Sequence, residues 1–251
     1  MKASFDASGD VIVITGGANG IGAALARACA GAGATVVVCD VDERAAAALL
    51  AAEPRLRFVR LDVSDRDAVM AAMQSIENEH GRIDGLVCGA AVQPRRAVHD
   101  TAPADWQRTL GINLDGVVWC YQAALPGMIR RRRGSVLAFS SGLAHSGWAE
   151  SAAYAASKGA LVAFIKSAAK EVARHRVRVN LIAPGVIDTP QYRHANAGSD
   201  DAHWAATLGV GQPEDVTGPL MFLLSDAATM TASVLSRDYA WHASEPAGRE
   251  Q

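Results

Sequence analysis

The chain reads as an α/β protein of the doubly wound Rossmann class, with a seven-stranded, mainly parallel sheet and helices on both faces. Three observations predict this. Short apolar, β-branched runs alternate with longer alanine-rich stretches along the sequence. The first such run leads directly into a glycine-rich turn and then a helix. An aspartate closes the second run. Parallel strands covered on both sides face no water, so they are apolar throughout rather than alternating. Right-handed crossovers then place helices on the two faces.

The first strand is Val11–Thr15, and Thr15-Gly16-Gly17-Ala18-Asn19-Gly20-Ile21-Gly22 follows it. Glycines let the backbone approach a pyrophosphate, and the N-terminus of the next helix supplies unpaired N–H groups. The spacing of Gly16, Gly20 and Gly22 is not the GxGxxG template. Placement after a strand and before a helix carries the signal. Further strands are expected at 35–39, with Asp40 closing it, and at 56–61, Gly85–Cys88, 135–140, 178–182 and 233–238. Residues 151–172 lack proline and are rich in alanine, which favours helix. That helix carries Tyr154 and Lys158, four apart and therefore on one face. An ammonium beside a phenol favours the phenolate, and a phenol that ionises near neutral pH is a usable general acid or base. Alone, such a pair reads as a surface tyrosine with an unrelated lysine; its setting changes that.

Composition fits one α/β domain with a large core: 251 residues, half of them hydrophobic, 20% charged, net charge −2. There is no global basic field for nucleic acid, and the local run Arg130 to Arg133 is expected to complement a helix C-terminus and stay in water. No apolar segment reaches membrane-spanning length, and residues 1–10 lack the apolar core of a signal peptide. Cys29, Cys39, Cys88 and Cys120 show no CxxC pairing, so free buried thiols and a cytoplasmic location are expected, with no metal site. Cys88 reads as a small core residue. No repeat or linker divides residues 1–251. The segment 190–211 breaks the alternation, is polar, carries Tyr192, His194, His203 and Trp204, and reads as a substrate lid; residues 239–251 form a polar tail.

Together these residues resemble the short-chain dehydrogenase/reductase family in its classical form, over nearly the whole chain from Val11 to about Asp238. Thr15 to Gly22 is similar to the family's TGxxxGxG loop, and Tyr154 and Lys158 to its YxxxK pair. The resemblance implies a catalytic tetrad of Asn113, Ser141, Tyr154 and Lys158. Neighbouring Ser140 leaves the serine open by one position, since strand alternation lets only one face the site. Asn113 would hold a water connecting Lys158 to solvent. The implied coenzyme contacts are Gly16, Asn19, Gly20, Ile21, Gly22, Asp40, Val41, Asp62, Val63, Ala90, Tyr154, Lys158, Pro184, Gly185, Ile187 and Thr189. Asp62 and Val63 would hold the adenine ring, and 180–189 would receive the nicotinamide end.

Two departures from the family stand out. Cys88-Gly89-Ala90-Ala91 replaces Asn-Asn-Ala-Gly after the fourth strand, which removes side-chain amides and puts coenzyme affinity in question. Asp238-Tyr239-Ala240-Trp241 replaces Asp-Gly-Gly, where subunits commonly meet. Tyr239 and Trp241 are expected to be buried, against another subunit of a homo-oligomer, with a tetramer favoured.

The expected activity is NAD-dependent interconversion of a secondary alcohol and a ketone, with Tyr154 as general acid/base. Asp40 would accept hydrogen bonds from the adenosine ribose and repel the 2′-phosphate of NADP. Arg44, the nearest basic residue, is expected to point to solvent. A silent NAD-binding regulatory or structural protein is an alternative, as is an epimerase or elimination enzyme on the same fold. Gln93, Ser141, Leu143, His145, Trp148, Val186, Tyr192 and Trp204 would line the substrate pocket. Arg95 and Arg96 could attract an anionic substrate, but solvated loop residues are the preferred reading.

Overall fold

The structure, a computed structural model, describes residues 3–198, 201 and 209–237. Seven strands form one sheet in the order β3-β2-β1-β4-β5-β6-β7. They are β1 Val11–Thr15, β2 Thr35–Asp40, β3 Arg57–Arg60, β4 Gly85–Cys88, β5 Gly134–Phe139, β6 Val177–Ala183 and β7 Val234–Ser236. Every pairing among them is parallel. β3 and β7 are shorter than expected, and Asp238, the expected end of the last strand, lies outside the described residues.

Strand alternation builds the two cores. Val11 and Val13 of β1 join one cluster and Ile12 and Ile14 the other. α1 (Gly20–Gly31), α2 (Glu43–Ala52) and α9 (Glu214–Leu224) cover the Ile14 face. α3 (Arg66–His80), α5 (Gly116–Arg131) and α7 (Ala152–Val172) cover the Val13 face. α4 (Pro103–Leu110) runs into α5 through a π turn, Gly111–Asp115, so the three form one rod with a bulge. Such bulges are frequent at functional sites. Short helices α6 (Leu143–Ser146) and α8 (Pro190–Ala195) belong to the loops beyond β5 and β6.

The chain steps outward from β1 to β2 and β3, then returns to pair β4 on the other side of β1. That reversal opens a crevice at the carboxyl ends of β1 and β4, where ligands bind in open α/β sheets. Register sets its floor. Thr15 aligns with both Cys39 and Cys88, so Gly16, Asp40 and Gly89 emerge at one level. The Gly16 N–H donates to Cys39 O at 2.8 Å, and the Gly89 N–H to Thr15 O at 3.0 Å.

The arginine run departs in part from expectation. Arg132 takes a left-handed conformation at the end of α5 (φ 52°) and stays exposed. Arg131 instead ion-pairs with Glu77 of α3 at 2.6 Å and donates to Ile83 O, while Arg133 reaches Asp10 at 3.0 Å. The run ties α5 to its neighbours because those acids sit at the amino end of the sheet, beside the end of the helix. Among the described residues, no helix is long and apolar enough to cross a membrane, and no His, Cys, Asp and Glu cluster could hold a metal. All four cysteines are free and buried; burial pushes the Cys29 thiol up to about 12.

Candidate active site

A cavity of about 1510 Å³ occupies the crevice. Single small-molecule sites span roughly 300–1,000 Å³, so this one has room for a dinucleotide together with a substrate. All the residues expected to touch the coenzyme line it, from Gly16 to Thr189. The residues present fit a pyrophosphate. Asn19 caps α1 without a side-chain hydrogen bond to the helix N–H groups, and no acidic residue occupies the helix's first turn. A Cβ on Gly16 would lie 2.5 Å from Ala90 N, and one on Gly22 would strike the Gly16 carbonyl. The cradle therefore exists only with glycine at these positions.

Asp40 projects from the end of β2 into the cavity. Its Oδ2 accepts the Ala18 N–H at 3.0 Å and its Oδ1 the Asp42 N–H at 3.1 Å, so the carboxylate also pins the glycine loop. Asp42 accepts from Asn19 Nδ2 at 3.2 Å, which puts a second carboxylate beside the loop. Arg44 is exposed, as expected. Farther along, Asp62 accepts the Ser64 hydroxyl at 2.7 Å and the Ser64 N–H at 2.9 Å, and these bonds hold its pKa below the usual value. Gly116 lets α5 approach this loop, since a Cβ there would lie 2.7 Å from a Val63 methyl.

The buried face of α7 carries Tyr154, Ser157, Lys158, Leu161 and Ile165 at helical spacing. Leu161 and Ile165 anchor that face in the core, so Tyr154 and Lys158 reach the cavity from a rigid support. Lys158 Nζ lies 5.6 Å from the centre of the Tyr154 ring. Ser141 lines the cavity with Tyr154, acts to lower the phenol's pKa, and accepts the Leu143 N–H on its Oγ at 3.2 Å. Ser140 Oγ is buried and meets no partner among the described residues. Both serines line the cavity, and Ser141 is the one that lowers the Tyr154 pKa.

Electrostatics correct one expectation. Burial raises the Tyr154 phenol above its ordinary value, and Ser141 only partly opposes it. Burial also lowers the Lys158 ammonium to about 8, opposed by nearby Cys88. Lys158 does not draw the phenol toward ionisation in the chain alone, because desolvation penalises both charges at once. Burial thus opposes both the phenolate and the ammonium.

Asn113 sits at the centre of the π turn, fully buried. Its Oδ1 accepts the Val92 N–H at 2.8 Å, and its Nδ2 donates to Val92 O at 2.9 Å and to Ser157 Oγ at 3.1 Å. Ser157 Oγ donates to Tyr154 O at 2.7 Å. The Asn113 amide is thus committed to protein groups and does not line the cavity. It positions the loop after β4 against α7.

At the other end lie Gln93, Leu143, His145, Trp148, Val186 and Tyr192, as expected; Trp204 and His203 lie outside the described residues. Arg95 corrects the solvated-loop reading. It is half-buried, lines the cavity, and donates to Ser151 Oγ at 2.8 Å and Asn196 Oδ1 at 2.9 Å. Arg96 is exposed. Neither Ser151, Ser157 nor Asn196 had a sequence signal; their partners are distant in the chain. The segment read as a lid closes at its base, where Asp188 N–H donates to Gly211 O and Gly211 N–H to Val186 O. Thr189 caps α8 there and packs against Gly20 of the glycine loop.

The sequence profile of the short chain dehydrogenase family matches residues 10–200. The chain belongs to that family. Among this family's curated members, cis-4-hydroxycyclohexanecarboxylate dehydrogenase of Sinomonas cyclohexanicum is 39% identical over 90% of this chain and 93% of the relative. L-fucose dehydrogenase of Oryctolagus cuniculus is 36% identical over 89% of this chain and 82% of the relative. The crystal structure of levodione reductase superposes with a TM-score of 0.88 at 28% identity, covering 96% of this chain and 100% of that one. The chain is therefore an oxidoreductase acting on CH–OH groups, of a kind that uses a nicotinamide coenzyme and small-molecule substrates.

Proposed function

We propose that this short-chain dehydrogenase interconverts a secondary alcohol and a ketone, prefers NAD to NADP, and uses Tyr154 as its general acid/base. The observation that carries the reading is that Ser141, Tyr154 and Lys158 all line one cleft, with Lys158 one turn from Tyr154 on the buried face of α7. Gly16 to Gly22 would hold the pyrophosphate and Asp40 the adenosine ribose. When bound, the coenzyme supplies the hydride acceptor or donor. In reduction, Tyr154 gives its proton to the carbonyl oxygen, which Ser141 also hydrogen-bonds. In oxidation, Tyr154 takes the carbinol proton, and the Lys158 charge favours the phenolate that this requires once a positive nicotinamide ring offsets part of the desolvation. Asn113 acts through Val92 and Ser157 as a positioning residue. Two of the relatives named above are dehydrogenases of cis-4-hydroxycyclohexanecarboxylate and of L-fucose, which supports a carbinol as substrate. We further propose assembly as a homotetramer, on family resemblance; Tyr239 and Trp241, assigned to that contact, lie outside the described residues, and light scattering tests it.

Coenzyme choice is tested by steady-state kinetics with both coenzymes across a panel of alcohols and ketones. Asp40 and Asp42 next to the loop, with Arg44 in solvent, support a preference for NAD of at least ~100-fold in kcat/KM, equivalent to about 2.7 kcal/mol. Asp40→Ala would also free the Ala18 and Asp42 N–H groups, so Asp40→Asn is the cleaner change. It removes the charge and keeps an acceptor, and the preference should erode through better use of NADP. Equal wild-type efficiencies with both coenzymes would show that Asp40 does not govern the choice.

A further inference from the structure

The substrate side of the cleft holds a cation that the proposed reaction does not use. Arg95, on the loop after β4, is fixed by groups from two other segments. Nη1 donates to Ala149 O at 3.2 Å and to Ser151 Oγ at 2.8 Å, and Nη2 to Asn196 Oδ1 at 2.9 Å. The guanidinium carbon sits 6.0 Å from the centre of the Trp148 ring. Every one of these partners is neutral. Among the described residues no carboxylate pairs with Arg95, whereas Arg193 pairs with Asp188 and Arg131 with Glu77.

A guanidinium has five N–H donors and no acceptor. The contacts above use both Nη1 hydrogens and one on Nη2. The Nε–H and the second Nη2 hydrogen meet no acceptor among the described residues. The acids that line the cavity, Asp40 and Asp62, follow β2 and β3, on the far side of β1 from Arg95. A planar, pre-oriented guanidinium with spare donors matches a carboxylate; an acid at this end, Asp201, is taken up by the Tyr192 hydroxyl. Arg96, next in sequence, is exposed and shows that position alone does not impose this arrangement.

We propose that Arg95 is the specificity-determining residue of this site and that the substrate is an organic anion, a hydroxy acid or its keto acid, whose carboxylate docks on Arg95 while its carbinol faces Tyr154. This rests on the dehydrogenase reading for the position of the carbinol, but carboxylate docking is measurable without turnover. The fork also links the loop after β4 to the segment before α7 and to Asn196 just past α8. An anion seated there would bring together the walls that enclose the substrate.

The test is calorimetric titration of the NADH-loaded protein with a panel of saturated ring and chain monocarboxylates, led by cyclohexanecarboxylate, and with the matching carboxamides. The wild type should bind the best carboxylate about 10- to 100-fold more tightly than its carboxamide, the range expected for hydrogen bonds to a charged group. Arg95→Gln should remove that difference and leave NADH affinity and circular dichroism unchanged. Arg95→Lys, which keeps the charge and loses the fork, should retain an intermediate preference. A wild type that binds no carboxylate of the panel better than its amide overturns the proposal, as does a preference that survives in Arg95→Gln with intact fold. Absence of turnover with every alcohol would sink the dehydrogenase reading and leave this binding result standing.

Discussion

At the residue scale, Lys158 is the group whose protonation the fold most clearly controls. It is 3% exposed, and burial lowers its pKa from 10.5 to about 8. The folded state therefore binds fewer protons than the unfolded state between those values. Stability contributed through this group rises with pH across that window, and the cost of the buried charge is full below it. Lys158→Met removes the cost at all pH values. From pH 7 to pH 10.5 the wild type should gain on the variant by about 3 kcal/mol. Urea denaturation of both proteins at the two ends measures it. A constant difference would mean that Lys158 is hydrated in the folded chain. The same burial raises the Tyr154 phenol above its ordinary value.

At the element scale, the glycine loop and the π turn each place one part of the site. Gly22→Ala would drive a methyl against the Gly16 carbonyl. Overpacking of this kind costs about 1–3 kcal/mol. NADH affinity should fall by about 10-fold or more, read from fluorescence titration, with the rest of the fold kept. Unaltered affinity would move the pyrophosphate away from the loop. The loop was legible in sequence because its signal is local: a strand, glycines, a helix, and Asp40 at the next strand end. β1 and β4 match their expected bounds for the same reason, since buried β-branched runs end abruptly at glycine or polar residues. The π turn was not legible. Gly111 opens it and Gly116 follows it, but what holds the bulge is Asn113 bonding to Val92 and Ser157, which are 21 and 44 positions away. Arg95 escaped likewise; its anchors at 151 and 196 are 56 and 101 positions distant. Charge in a loop reads as solvated unless the chain that surrounds it is known.

At the scale of the whole molecule, one sheet links both functions of the cleft. β1 pairs with both β2 and β4, so the strands that end in Asp40 and those that lead to Ser141 are joined without a break. The two cores run the width of the sheet on either face. One cooperative thermal transition is therefore expected for the chain, raised as a unit by NADH. At a free concentration 100 times Kd, coenzyme should stabilise by about 2.7 kcal/mol. Scanning calorimetry with and without NADH checks this, and two separable transitions, of which NADH shifts one, would contradict it. The substitution of Cys88-Gly89-Ala90-Ala91 for the family's amides does not disturb this unity. Cys88 is buried in the core, Gly89 bonds to Thr15 O, and Ala90 forms the cleft wall against Gly16.

In the proposed reaction the Tyr154 hydroxyl moves the proton. Tyr154→Phe keeps the ring packed on α7 and removes only that oxygen. With an alcohol or ketone that the wild type turns over, the variant's rate should fall by at least ~10²-fold, followed by the near-ultraviolet absorbance of the reduced nicotinamide, while its NADH affinity stays at the wild-type value. A variant that turns over at close to the wild-type rate would remove Tyr154 from the chemistry and leave the cleft without its proposed acid and base.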